Sequence, residues 1–97
     1  MVNHTVLFRF KEAATSESID KMMKAIYTFK ESIPGIIDVF GGENFSSNSK
    51  SYTHGVTIHF VDRSALEAYI AHPFPKDIRE TLIVPILDDA INLDYEF

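Results

Sequence analysis

Residues Ser51 to Pro75 read SYTHGVTIHFVDRSALEAYIAHPFP. The first half alternates, with Tyr52, His54, Val56, Ile58 and Phe60 on one face of a strand and Thr53, Gly55, Thr57 and His59 on the other. The second half changes period. Asp62 or Ser64 opens a helix that points Leu66, Tyr69 and Ile70 inward, and it must stop near Ala71 because a proline follows His72. A strand feeding such a helix implies a sheet with helices packed on one face. The phase also puts His54 among apolar residues, where an unpartnered imidazole would cost about 2–7 kcal/mol. His54 is therefore either a core histidine held by a hydrogen bond or a group lining a cavity.

Upstream, the polar run Ser46 to Lys50 returns the chain as a hairpin from a second strand, Ile36 to Phe45. That strand carries apolar residues in both phases, Ile36 and Phe40 against Ile37 and Val39, and so needs cover on both faces. Gly41 and Gly42 mark a bulge or a close backbone approach near its middle. Before it, Ile19, Met22, Met23, Ile26, Phe29 and Ile33 recur at steps of three and four and form one apolar helix stripe. Thr15 or Ser16 caps that helix, and Pro34-Gly35 ends it. The chain opens on a first strand, Val2 to Phe10, with His4, Val6, Phe8 and Phe10 on one face and Thr5, Leu7 and Arg9 on the other. Downstream of Pro75, a helical turn or two over Asp77 to Ile83 precedes Pro85. Ile91, Leu93 and Tyr95 then alternate with Asn92, Asp94 and Glu96 in a last strand.

The order β-α-β-β-α-β predicts an α+β, ferredoxin-like subunit with a four-stranded antiparallel sheet and both helices on one face, a single domain over residues 1–97. The other face, with Thr5, Leu7, Thr57, His59 and parts of the second and fourth strands, is left bare. A second copy of the same sheet is its simplest cover, giving a two-fold homodimer that closes into a barrel-like core.

Composition narrows the function classes. Lys and Arg number 9 against 14 Asp and Glu, a net charge of −5, with the basic residues scattered among acids, so nucleic acid is not an expected partner. No apolar run approaches the roughly 18 residues of a membrane span. The amino terminus lacks the pattern of a signal peptide, which makes the cytoplasm the default compartment. With no cysteine there is no disulfide, thiolate nucleophile or sulfur-ligated metal. The four histidines lack close ligand spacing, so no metal is expected.

Five short motifs in order resemble a known family. They are His4-Thr5-Val6-Leu7-Phe8-Arg9-Phe10-Lys11, Ile33-Pro34-Gly35, Tyr52-Thr53-His54, His72-Pro73 and Leu93-Asp94-Tyr95. Together they resemble the stress-responsive A/B barrel (Dabb, dimeric α/β barrel) domain. The resemblance implies a homodimeric barrel of two ferredoxin-like subunits. Within the family there is a distant resemblance to olivetolic acid cyclase, which folds a linear polyketide by aldol chemistry. On that resemblance His4, His54, Tyr69 and Asp94 occupy places like its cavity and catalytic residues, Val56 a wall position, and Met22 and Ile26 places where the cyclase has aromatic walls. Where the family often has His-Pro-x-His, with the last histidine as the base, this chain reads His72-Pro73-Phe74-Pro75. Proline neither takes nor gives a proton, so the general base is missing from its expected place.

The expected function is accordingly a stress-response-type dimeric barrel that binds a small hydrophobic or aromatic ligand without catalysis and without a cofactor. Its candidate contacts are His4, Met22, Ile26, Val56, His72 and Asp94. The alternative is a cyclase- or isomerase-like enzyme in which Tyr69 polarises a carbonyl and His54 handles the proton. A monooxygenase-like relative is a third reading, by fold analogy alone. Tyr69 and His72 also have structural readings, as an inward-packed ring and as a residue facing the last carbonyls of a helix. His59 has the phase of the bare sheet face, and Asp94, without its expected histidine, is free to pair with His4 or with solvent.

Overall fold

Alternation organises four strands, β1 (Val2–Phe10), β2 (Ile36–Glu43), β3 (His54–Phe60) and β4 (Leu87–Glu96), into one antiparallel sheet of order β2-β3-β1-β4. The computed structural model describes all residues, Met1–Phe97. Two helices follow β1, α1 (Ser16–Tyr27) and the short α2 (Phe29–Ser32). Two more follow β3, α3 (Arg63–Ala71) and α4 (Pro73–Ile78), and α4 runs on into a π-helical turn, Arg79–Ile83, and a 3-10 turn, Val84–Ile86. Phe8, Val56, Ile58 and Phe60 from the inner sheet face and Met22, Met23, Ile26, Phe29, Ile33, Leu66, Tyr69 and Ile83 from the helical layer form one core. No helix is long and apolar enough to cross a membrane.

Local chemistry accounts for the boundaries. Thr15 caps α1 in a reciprocal pair, its hydroxyl accepting from the Ser18 amide at 3.1 Å and the Ser18 hydroxyl accepting from the Thr15 amide at 3.0 Å. The expected single stripe is broken at Thr28, whose hydroxyl donates to the Ala25 carbonyl at 2.7 Å and loosens the ladder there. Asp62 caps α3 through the Ala65 amide, 2.8 Å away. At His72 the chain leaves α3 and enters α4 at once, because Nδ1 of His72 accepts from the Phe74 amide at 3.1 Å. Pro73 and Pro75 then fall in the first turn, where a missing N–H costs nothing. The helical segment thus begins at Pro73 rather than near Asp77.

Three sequence expectations are corrected. The irregularity in β2 lies between Ile36 and Asp38, not at Gly41 and Gly42. The extra residue, Ile37, shifts the phase, so Ile36 opposite Phe60 and Val39 opposite Ile58 both face the core, while Phe40 turns outward. This removes the apparent two-phase burial. Of the two readings of the glycine pair, the close approach holds at Gly41, since a Cβ there would lie 2.3 Å from the Gly55 carbonyl. The strand also ends at Glu43, before the fully exposed Phe45. Finally, Tyr52 does not share the His54 face. Lys50 and Ser51 take positive φ and the strand starts only at His54, so Tyr52 turns to the outer side, where its hydroxyl donates to Asp89 and the Arg9 guanidinium lies 5.1 Å above its ring.

Candidate functional site

β4 runs against the usual pattern. Its apolar residues Ile91, Leu93 and Tyr95 are 45, 55 and 50 % exposed on the outer face, while Ala90, Asn92 and Asp94 face the helices. The small and polar phase leaves space between sheet and helices, a cavity of about 400 Å³. Its walls are His4, Val6 and Phe8 of β1, Val56 and Ile58 of β3, the inner residues of β4, and Leu87 at the start of that strand. The helical layer closes it with Ile26, Phe29, Tyr69, Ile70, Pro75, Arg79, Ile83 and Val84. A mainly apolar wall with a few polar groups is the usual make-up of a small-molecule site.

The polar groups are set by strand register. His4 lies opposite Asp94 on β4, and its Nδ1 meets the Asp94 carboxylate. An ionised carboxylate only accepts, so Nδ1 carries the proton and donates, leaving Nε2 with its lone pair. Ring edges of Phe60 and Tyr69 pack on the imidazole, with centroids 6.3 and 5.9 Å away. Tyr69 is held between Phe29 and Phe60, 5.9 and 5.2 Å from its ring, and its hydroxyl makes no hydrogen bond to protein but is not sealed in, since no fully buried polar side-chain atom lacks a partner. Burial pushes the Tyr69 phenol above its ordinary value, and the nearby Arg79 charge opposes that rise.

Of the residues singled out in the sequence, His4, Ile26, Val56, Tyr69 and Asp94 share this cavity. His54, Met22 and His72 stand elsewhere. His54 pairs with Phe8 and Glu43, four residues along β1 from His4, or about 13 Å at strand rise. Its ring edge meets Phe10 at 5.5 Å and its Nδ1 the Thr53 hydroxyl at 2.9 Å, outside the cavity that Tyr69 lines. The phase of β3 set its face, the antiparallel order puts it toward the opposite end of the sheet from His4, and the pairing register fixes the distance. Met22 is wholly buried in the core under α1. His72 spends its Nδ1 on the α4 cap. Pro75 does line the cavity, so the place of the absent base is a wall without proton chemistry. Ile70, expected inward, is 52 % exposed at the cavity rim.

Two wall groups had no signal strong enough to single them out. Both are readable afterwards, Asn92 from its phase with Asp94 and Arg79 from its steps of four to the wall residues Pro75 and Ile83. On the outer face, Nε2 of His59 meets Oδ1 of Asn3 at 3.0 Å, and its ring sits between those of Phe40 and Phe97. No group of three His, Asp or Glu side chains gathers closely enough to hold a metal ion.

The stress responsive A/B barrel domain family matches residues 2–97. The chain is 27% identical over 97 residues to a stress-response A/B barrel domain-containing protein, HS1, of Arabidopsis thaliana, covering 98% of this chain and 88% of that protein. A crystal structure of an Arabidopsis thaliana protein superposes with a TM-score of 0.91 at 26% identity, covering 100% of this chain and 95% of the other. Two more distant structures share the fold. A dimeric ferredoxin-like protein of unknown function from Thermobifida fusca has a TM-score of 0.85 at 20% identity, with 99% and 90% of the two chains covered. A hydroxynitrile lyase from Passiflora edulis has a TM-score of 0.88 at 16% identity, with 97% and 90% covered.

Proposed function

The chain belongs to the stress responsive A/B barrel domain family, and from that premise we propose that it is a homodimer in which each subunit binds a small, mainly apolar ligand between sheet and helices. The observation that carries the ligand reading is the inverted β4. A strand that shows Ile91, Leu93 and Tyr95 to the outside and Ala90, Asn92 and Asp94 to the inside keeps the interior partly empty and partly polar. Both halves of that pattern cost stability in a lone subunit, and both are accounted for if the outer face meets a second sheet and the inner face meets a ligand. The dimeric assembly of the Thermobifida fusca neighbour supports the first half.

Filling the cavity tests the second half. Ala90→Leu adds bulk from β4 without removing any polar contact, and it is expected to raise thermal stability slightly while abolishing the thermal shifts that small aromatic ligands produce in the wild type. Shifts that persist in this variant would place the ligand elsewhere.

A second reading is favoured by one contact. His4, paired with Asp94, and Tyr69, whose ring centroid lies 5.9 Å from the imidazole, line one cavity, which brings a base and an oxyanion donor into the same site. In a cyclase- or lyase-like reaction this pair would replace the Tyr69 and His54 pair expected from the sequence. Deuterium exchange at the α-carbon of a bound aryl ketone, followed by NMR, would reveal it, and no loss of exchange in His4→Ala would end this reading.

A further inference from the structure

Arg79 is the one cationic side chain on the cavity wall. It is half-buried and forms no ion pair. Its hydrogen bond to protein is a long one, from a terminal nitrogen to the Ile70 carbonyl at 3.5 Å. The acid on the same wall, Asp94, is already engaged by His4. Tyr69, whose hydroxyl makes no hydrogen bond to protein, lines the same cavity, and the guanidinium charge acts on its phenol. Arg79 stands four residues from both Pro75 and Ile83, which puts all three on the wall, near the exposed Ile70 and Val84 that form the rim.

A half-buried guanidinium without an ion pair on the wall of an apolar cavity is matched by an anion, and a phenol on the same wall can add a hydrogen bond to it. We infer that the ligand is a small aromatic or aliphatic carboxylic acid, its carboxylate held by Arg79 and Tyr69 and its apolar body against Ile26, Val56 and Ile83. The inference rests on the reading of the cavity as a ligand site and names the chemical class it takes. A carboxylate offers two oxygens in a plane, which a guanidinium edge and one hydroxyl match. A phosphate monoester would bring a third oxygen and a second charge with no donor for either, on a wall that already carries the Asp94 carboxylate. The half-buried position suits an acid that enters body first and leaves its head at the rim.

The test compares acids with amides of the same shape. Cinnamate, naphthoate and octanoate, each paired with its primary amide, are titrated into the isotope-labelled full-length protein and followed by amide-resolved NMR. At least one acid is expected to bind ten-fold or more tightly than its amide, with shifts at Val56, Ile83 and Arg79. Arg79→Gln should bring that acid down to the affinity of its amide while leaving the amide unchanged, and Arg79→Lys should recover part of the difference. Arg79 has little to do with holding the fold, so both variants are expected to give the wild-type spectrum away from the cavity. Equal binding of acid and amide to the wild type, or an unaltered acid affinity in Arg79→Gln, would overturn the carboxylate inference and leave the cavity as a site for neutral ligands. If no member of any pair moves cavity resonances, the ligand-site reading falls too, and this inference with it.

Discussion

At the scale of single residues, Tyr69 and Asp94 make opposite predictions. The Tyr69 hydroxyl has no protein partner to lose, so Tyr69→Phe should leave stability at neutral pH within about 0.5 kcal/mol in urea unfolding. Its effect belongs to alkaline pH. Because the folded pKa lies above the ordinary value of 10.0, the neutral phenol contributes stability below that value, and the contribution is lost as pH rises through the raised one. Tyr52 is shifted the same way, chiefly by its hydrogen bond to Asp89, so the wild type should weaken at high pH on two counts and Tyr69→Phe on one. Urea midpoints of the two proteins that fall in parallel above pH 10.0 would refute this. Asp94→Ala, by contrast, leaves the Nδ1–H of a largely buried His4 without an acceptor and should cost about 1–2 kcal/mol in the same measurement. Helical phase put Tyr69 on the inner face, whereas the cavity place of Asp94 was implied only by the family resemblance. His54 had the right phase, and in an antiparallel sheet its place at the start of its strand already sets it toward the opposite end from His4; the register fixes that separation at four residues.

At the scale of elements, the connection from α2 to β2 has a single tight point. Gly35 has φ +86°, and a Cβ there would lie 2.6 Å from the Ala65 Cβ of α3. Gly35→Ala meets both the left-handed backbone and the clash, and should cost about 2–3 kcal/mol by chemical denaturation. A cost below about 1 kcal/mol would mean that the two helical layers move apart easily there. The signal for this turn was plain in Pro34-Gly35. Less legible were the two features that reshape the ends of elements. The bulge at Ile37 hid behind an apolar run with no glycine, and the proline pair at Pro73 and Pro75, which reads as a helix stop, also starts a helix. A proline ends one helix for the same reason that it suits the first turn of another, its lack of an N–H.

At the scale of the molecule, the exposed outer face decides the assembly. Leu93 lies on the edge strand β4, midway along it opposite Thr5, and more than half of its side chain is exposed on the outer face. Leu93→Lys should therefore convert a dimer to a monomer at micromolar concentration by light scattering, with the secondary structure retained in circular dichroism. A wild type that is monomeric at that concentration would refute the homodimer. The sequence by itself determined the element order, the inner face of β1 and of β3 from His54 onward, the helix starts at Thr15 or Ser16 and at Asp62 or Ser64 and the family likeness, because these rest on local periodicity and on residues within a few positions of one another. Only the tertiary structure decided which groups share one cavity. His4 meets Asp94 across 90 residues of chain, and Arg79, from the helical layer, comes to the wall of the same cavity. Side chains distant in sequence are brought together by strand register and layer packing, and a functional site is built from just such pairs.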